Sequence, residues 1–291
     1  MRRWLETIIL RFAMRKVATT PYAQGERIAT AAHRLIWPLM KGPRLRALER
    51  MSQSLPTLSP HEREVLLEES VRNLSTTAVE VLYMHHLGTS FLEEVEITAE
   101  GEEGLEAIAG GGIVLTGHLG NWELAGALIT RGLHPTPFMV VGRSQENSLL
   151  DEISVSTRKK FGMGHATRDW REAVKLARAL EEGTVLGLVS DQHAGSGTPV
   201  VFMDRMARAF KGPVVYAQRG DVPLVATACF RVSWGQFRWA VRKPFSLAGL
   251  SLDEGAQRYT SEIESLVLES PDQWLWLHNR WKGAGERATL P

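Results

Sequence analysis

The chain contains one cysteine, Cys229, in 291 residues. That excludes an intrachain disulfide framework and suits a reducing compartment. Its surroundings, Val225-Ala226-Thr227-Ala228-Cys229-Phe230, read as an apolar strand with no histidine in step. A buried structural thiol is therefore expected rather than a reactive nucleophile. The sequence has no G-x-S-x-G elbow and no H-E-x-x-H pair, which argues against serine hydrolases and zincins. His85 and His86 are adjacent rather than on one helical face, so no metal or other cofactor is expected and the pair reads as surface or packing histidines. Internal repeats and low-complexity segments are missing too.

Long uncharged apolar runs are also lacking. The first 50 residues carry eleven Lys or Arg against three Glu, about +8, although the whole chain sums to only +1. These charges are interleaved with Trp4, Leu5, Ile8, Ile9, Leu10, Phe12, Ile36, Trp37 and Leu39, and no run of the ~18 residues needed to span a bilayer survives. Glu6 and Arg11 interrupt the stretch where a secretory signal would need its apolar core. The pattern is that of a basic amphipathic segment lying on an anionic membrane surface. The plainer alternative is a helix packed on the domain with its arginines in water. Nucleic acid is a poor partner, because the basic surplus is confined to this apolar-rich arm.

What is present is a globular composition, 44% hydrophobic and 23% charged. It divides into an N-terminal helical arm, 1–50, and a single α/β domain, 51–291. Helices are expected over 3–18 and 25–41, the second closed by Gly42-Pro43. Ser59-Pro60-His61-Glu62 begins another, with Ser59 as N-cap and Glu62 completing a capping box. Beyond a short helix at 101–109, strands near 113–117, 136–142, 184–190, 222–230 and 236–242 alternate with helices near 121–131, 145–161, 169–182, 209–219 and 253–270. That alternation predicts an α/β sandwich around a mainly parallel sheet, with its site at the carboxyl ends of the strands.

The most informative segment is Gly117-His118-Leu119-Gly120-Asn121-Trp122-Glu123, directly after the turn Gly110-Gly111-Gly112 and the apolar strand Ile113 to Thr116. Positions i and i+5 do not share a helix face. His118 and Glu123 can meet only if the chain bends between them, which Gly120 permits. Asn121 is a good N-cap and leaves Glu123 in the first helical turn. An imidazole at a strand end beside a carboxylate is a candidate general base.

This string resembles the H-x4-D/E motif of glycerolipid acyltransferases and, more narrowly, the lipid A biosynthesis (late) acyltransferase family, which also includes the phosphatidylinositol mannoside acyltransferases. Two further segments in the right order support the resemblance: Ser190-Asp191-Gln192 after the strand Thr184 to Val189, and Trp274-Leu275-Trp276-Leu277-His278-Asn279-Arg280-Trp281-Lys282, similar to a W-x-W-L-H-R-R-W/F-K ending. It covers roughly 65–283. Asn279 departs from the family's first arginine there.

The resemblance implies an O-acyltransferase that moves a fatty acyl chain from an acyl carrier protein thioester, or acyl-CoA, to a hydroxyl of a membrane glycolipid such as a lipid A precursor or a mannosylated inositol lipid. Its setting would be the cytoplasmic face of the bacterial inner membrane, peripheral or monotopic. His118 would be the base, oriented by Glu123, with Asp191 at the end of a core strand competing for that role. Arg143 aligns with an arginine that the family uses near polar substrate groups, although Val-Gly-Arg-Ser stands where members often have Tyr-Arg-Pro. Asn121, Gln192 and Arg168 join Arg143 as candidate substrate-binding residues. Arg158, Lys159, Lys160, Arg168 and Arg171 can extend a basic rim for an acidic carrier protein or lipid phosphates, each taken singly being an ordinary solvated helix charge. If water replaced the acceptor, the same residues would make a thioesterase or lipid hydrolase. A non-catalytic lipid-binding homologue is disfavoured by the intact His118 and Glu123.

Overall fold

The computed structural model describes residues 2–167 and 170–283. Its helices, among the described residues, are α1 (Arg2–Ala18), α2 (Gly25–Ile36), α3 (Lys41–Ser54), α4 (Pro60–Leu87), α5 (Trp122–Leu133), α6 (Ser148–Lys160), α7 (Trp170–Glu181), α8 (Gly212–Gly220) and α9 (Leu252–Glu269). The strands are β1 (Glu96–Glu100), β2 (Gly112–Thr116), β3 (Phe138–Gly142), β4 (Gly164–Thr167), β5 (Val185–Val189), β6 (Thr198–Phe202), β7 (Arg205–Ala209), β8 (Leu224–Ser233) and β9 (Gln236–Val241).

Seven strands form one sheet in the order β1-β9-β8-β2-β5-β3-β4, and β6 and β7 make a separate hairpin. The sheet is mainly parallel, as the alternation predicts, and the antiparallel step lies between β8 and β9. Every residue of β2 is buried. Successive side chains point to opposite faces, so Ile113 and Leu115 enter one core with Leu186, Leu188 and the C-terminal tryptophans, whereas Val114 enters the other with α5 and α6.

Some elements escape the sequence reading. Gly42-Pro43 does not end a helical region but sits in the first turn of α3, where proline's missing N–H is no loss. The β6–β7 hairpin turns at Met203 and Asp204, both at positive φ (51° and 55°). Such turns normally advertise themselves with Asn or Gly. The edge strands β1 and β4 are short and half-exposed, so they lack an apolar run.

The arm is not separate from the domain. Tyr22 is buried against Tyr83, Phe91 and Trp234, with ring centroids 5.2, 5.1 and 4.8 Å apart. Ala47 and Met51 share a core with Trp276. Packing therefore runs through residue 50 without a break, and only the outer faces stay free: Trp4, Ile8, Ile9 and Phe12 on α1, then Leu35, Ile36, Leu39 and Leu45. No helix among the described residues is long and apolar enough to cross a membrane.

Candidate active site

The parallel register of β2 and β5 builds the site. Thr116 pairs with Val189, and His118 and Asp191 stand at matching positions two residues beyond that pair. A Cβ on Gly117 would lie 3.2 Å from Asp191 Cβ, so the glycine leaves room for the carboxylate to close on the loop. Asp191 Oδ1 accepts the His118 Nδ1–H at 2.8 Å, and Oδ2 accepts the His118 backbone N–H at 2.9 Å. The indole Nε1–H of Trp274 donates to Oδ2 as well, at 2.9 Å.

Asp191 is 2% exposed, and burial alone would raise its pKa. The facing His118 and the donors from His118 and Trp274 outweigh that burial and lower it to about 2. An ionised carboxylate only accepts, so Nδ1 carries the proton and Nε2 of neutral His118 keeps its lone pair. Gln192 Nε2 lies 3.4 Å from that nitrogen. Trp122 packs edge-on to the imidazole, with centroids 5.2 Å apart.

Glu123 does not orient His118. The bend at Gly120 exists (φ +57°), but a Cβ there would sit 2.1 Å from the Cys229 carbonyl oxygen, so the bend serves close passage beneath β8. Glu123 turns instead to Arg158 on α6. It accepts from Arg158 twice, Nε to Oε2 at 3.0 Å and Nη2 to Oε1 at 2.5 Å. Burial opposes the Arg158 charge, but Glu123 overcomes it and raises the pKa. This pair lines a narrow cavity whose walls also include Val114, Gly126, Ile129, Phe138, Val140 and Met163. A smaller recess beside His118 lies between α4 and residues 273–275.

Nor is Asn121 available to a substrate. It is wholly buried, its Oδ1 caps α5 by accepting from the Leu124 N–H at 2.9 Å, and its Nδ2 donates to Glu80 Oε2 at 2.8 Å. Arg143 is exposed just past the carboxyl end of β3, the same sheet end that carries His118 and Asp191. Arg168 lies outside the described residues.

A family model described as bacterial lipid A biosynthesis acyltransferase matches residues 1–283. The chain belongs to this family. It is accordingly an O-acyltransferase. The lipid A biosynthesis palmitoleoyltransferase of Escherichia coli (strain K12) is 25% identical over 267 residues, covering 89% of this chain and 83% of that protein. The lipid A biosynthesis acyltransferase of Shigella flexneri matches with the same figures. Among solved structures, the 1-acyl-sn-glycerophosphate (LPA) acyltransferase PlsC from Thermotoga maritima matches at 14% identity and a TM-score of 0.39, covering 69% of this chain and 84% of that chain.

In this family member, two features near His118 give no signal in the sequence. Arg158 reads as one of several solvated helix charges, yet it is largely enclosed and committed to Glu123, 35 residues away. Trp274 reads as core, and it is, but its one polar atom is spent on Asp191. Neither contact leaves a local periodicity.

Proposed function

We propose that the protein transfers a fatty acyl chain from an acyl carrier protein thioester to a hydroxyl of a membrane glycolipid of the lipid A precursor type, with His118 as general base. The observation that carries this reading is the His118 Nδ1–Asp191 Oδ1 hydrogen bond of 2.8 Å, which leaves Nε2 basic. In the forward step Nε2 takes the proton of the acceptor hydroxyl as its oxygen attacks the thioester carbonyl. The tetrahedral intermediate collapses by breaking the C–S bond, and the imidazolium returns the proton to the departing thiolate. Asp191 stabilises the transient positive charge. The cavity lined by Trp122 has mostly apolar walls, the lining an acyl chain needs, although it is narrow and an acyl chain would have to widen it; the Glu123–Arg158 pair is part of that lining.

The acceptor class follows the names of the relatives, which are lipid A enzymes. A membrane-bound acceptor also accounts for the exposed apolar side chains of α1, Leu35, Ile36, Leu39 and Leu45 beside exposed Arg11, Arg15, Lys16, Arg34 and Lys41. Peripheral binding at the cytoplasmic leaflet fits that surface. The exposed Arg143 and Lys159 make a modest basic approach for an acidic carrier protein.

The test is incubation with radiolabelled acyl carrier protein thioester, or acyl-CoA, with and without a lipid A precursor in mixed micelles. Acylated lipid appearing only with acceptor supports the proposal. Free acid released at the same rate with or without lipid would instead make the protein a thioesterase. Turnover on acyl-CoA but never on the carrier protein would reassign the donor.

A further inference from the structure

Behind the catalytic loop lies a buried charge network that the acyl-transfer reading does not use. Glu80 on α4 has no exposure and the Arg231 side chain at the end of β8 has 7%. Arg231 Nε donates to Glu80 Oε1 at 2.8 Å, and its Nη2 donates to Glu80 Oε2 and, at 2.9 Å, to Thr77 Oγ1. The remaining Nη1 reaches Asn73 Oδ1 at 2.7 Å. The planar fork thus takes acceptors from three positions along one face of α4.

Two of these partners, Glu80 and Thr77, lead to the segment that carries His118, and Asn73 Nδ2 donates to the Asp272 carbonyl of the tail at 3.2 Å. Glu80 Oε2 accepts from Asn121 Nδ2 at 2.8 Å, and Thr77 Oγ1 donates to the Gly120 carbonyl at 3.0 Å. The side-chain amide of Gln273 pairs with the Arg231 backbone through two bonds of 2.9 Å, while the Gln273 carbonyl accepts the Gly120 N–H at 3.1 Å. From the same tail the Leu275 N–H bonds the His118 carbonyl at 3.1 Å. Asn121 N–H is held by the Cys229 carbonyl at 2.8 Å. Residues 118–121 are therefore clamped from α4, from β8 and from the tail, and Arg231 touches all three clamps.

Stability alone is a poor reason for such a pair. Taking two charges out of water is costly, and apolar residues of similar volume often hold a core as well or better. What an apolar pair cannot do is orient Asn121 and Thr77, because it offers no directional bonds. We infer that Glu80 and Arg231 are positioning residues, whose ion pair fixes the His118–Asn121 loop so that Nε2 meets the acceptor hydroxyl in register. The inference rests on the acyl-transfer reading for its kinetic consequence, though not for its structural one. Misplacing a reacting group by ~1 Å can cost about 10²-fold in rate.

The experiment compares wild type with the double variant Glu80→Leu/Arg231→Met and with Asn121→Ser. The first removes both charges together, so neither is stranded. The second keeps the α5 cap but cannot reach Glu80. The melting temperature, kcat, KM for the acyl donor and the downfield 1H NMR resonance of His118 Nδ1–H, identified by its loss in His118→Ala, are measured for each. The expected result is a melting temperature near wild type in Asn121→Ser, with kcat down about 10- to 10²-fold and KM within about twofold. The Nδ1–H resonance broadens in both variants. Wild-type kcat and an unchanged resonance in Asn121→Ser, or in a double variant that folds, overturn the inference. Should wild type itself transfer no acyl group, the assigned reaction fails, and the resonance alone still decides whether the network positions His118.

Discussion

Asp191 holds His118 at two points, with one carboxylate oxygen on the ring Nδ1–H at 2.8 Å and the other on the backbone N–H at 2.9 Å. The double grip fixes the ring's tautomer and the loop's path together. A single contact would leave the imidazole free to pivot about the other.

Replacing His118 with Ala should lower acyl transfer by about 10²–10⁴-fold, the usual span for a general base. The side chain is partly exposed, and without it buried Asp191 keeps the donors from the backbone N–H of residue 118 and from Trp274, so circular dichroism should stay close to wild type with only a modest fall in melting temperature. Near-normal turnover in the folded variant would remove His118 from the chemistry.

The two carboxylates should separate by kinetic parameter. Asp191→Asn keeps the shape but cannot stabilise an imidazolium, so kcat should fall by about 10²-fold or more with little change in KM. Glu123→Gln should act mainly on KM and on stability, because it strips the counter-charge from a largely enclosed Arg158. The destabilisation should be about 1–3 kcal/mol, less than the roughly 3–5 kcal/mol of a fully buried pair, since both side chains retain some exposure. If Glu123→Gln depressed kcat more than Asp191→Asn did, the assignment of roles would be reversed.

Acid should weaken the fold partly through His278. Burial, opposed by Asp191 and reinforced by the nearby His118, Arg280 and His193, lowers its pKa to about 4. Its Nε2 accepts the His193 N–H at 3.0 Å, a bond available only to the unprotonated nitrogen. An unfolded chain takes up that proton near its ordinary value of 6.5, whereas the folded chain resists until about pH 4. Stability contributed by neutral His278 is therefore intact above pH 6.5 and declines as the pH falls towards 4. His278→Gln, which keeps an acceptor, should make the decline of melting temperature over this window shallower. His85, His165 and His193 are likewise lowered by burial and account for a remaining slope. An identical pH profile in the variant would show that His278 does not contribute.

Membrane binding should be separable from folding. Substituting Ile9, Phe12 and Leu39 by Gln removes exposed apolar side chains only, each worth about 1.5–3 kcal/mol if fully buried in an apolar phase. Binding to anionic vesicles in flotation assays should drop at least tenfold with no loss of melting temperature, and salt should weaken what remains. Deleting residues 1–41 is a different experiment. It uncovers Tyr83, Phe91 and Trp234, so an insoluble or unstable product is expected. Unchanged flotation of the triple variant would place the membrane surface elsewhere.

Local pattern in the sequence was enough to locate the candidate base, His118. A glycine turn, an apolar strand, His118 and the Asn121 cap are short-range features, and so is the tryptophan-rich ending. They specify where a strand stops and a helix starts, and the α/β class follows from their alternation. Which groups meet at that strand end was decided only in three dimensions. His118 and Asp191 are 73 residues apart, Glu123 and Arg158 are 35 apart, and Glu80 and Arg231 are 151 apart. A carboxylate five residues from the histidine looks like its partner because sequence distance is all a string displays. The parallel register of β2 with β5 instead delivers Asp191, and the tight bend under β8 turns Glu123 away to Arg158. Register depends on the packing of whole sheet faces, and no single segment encodes it.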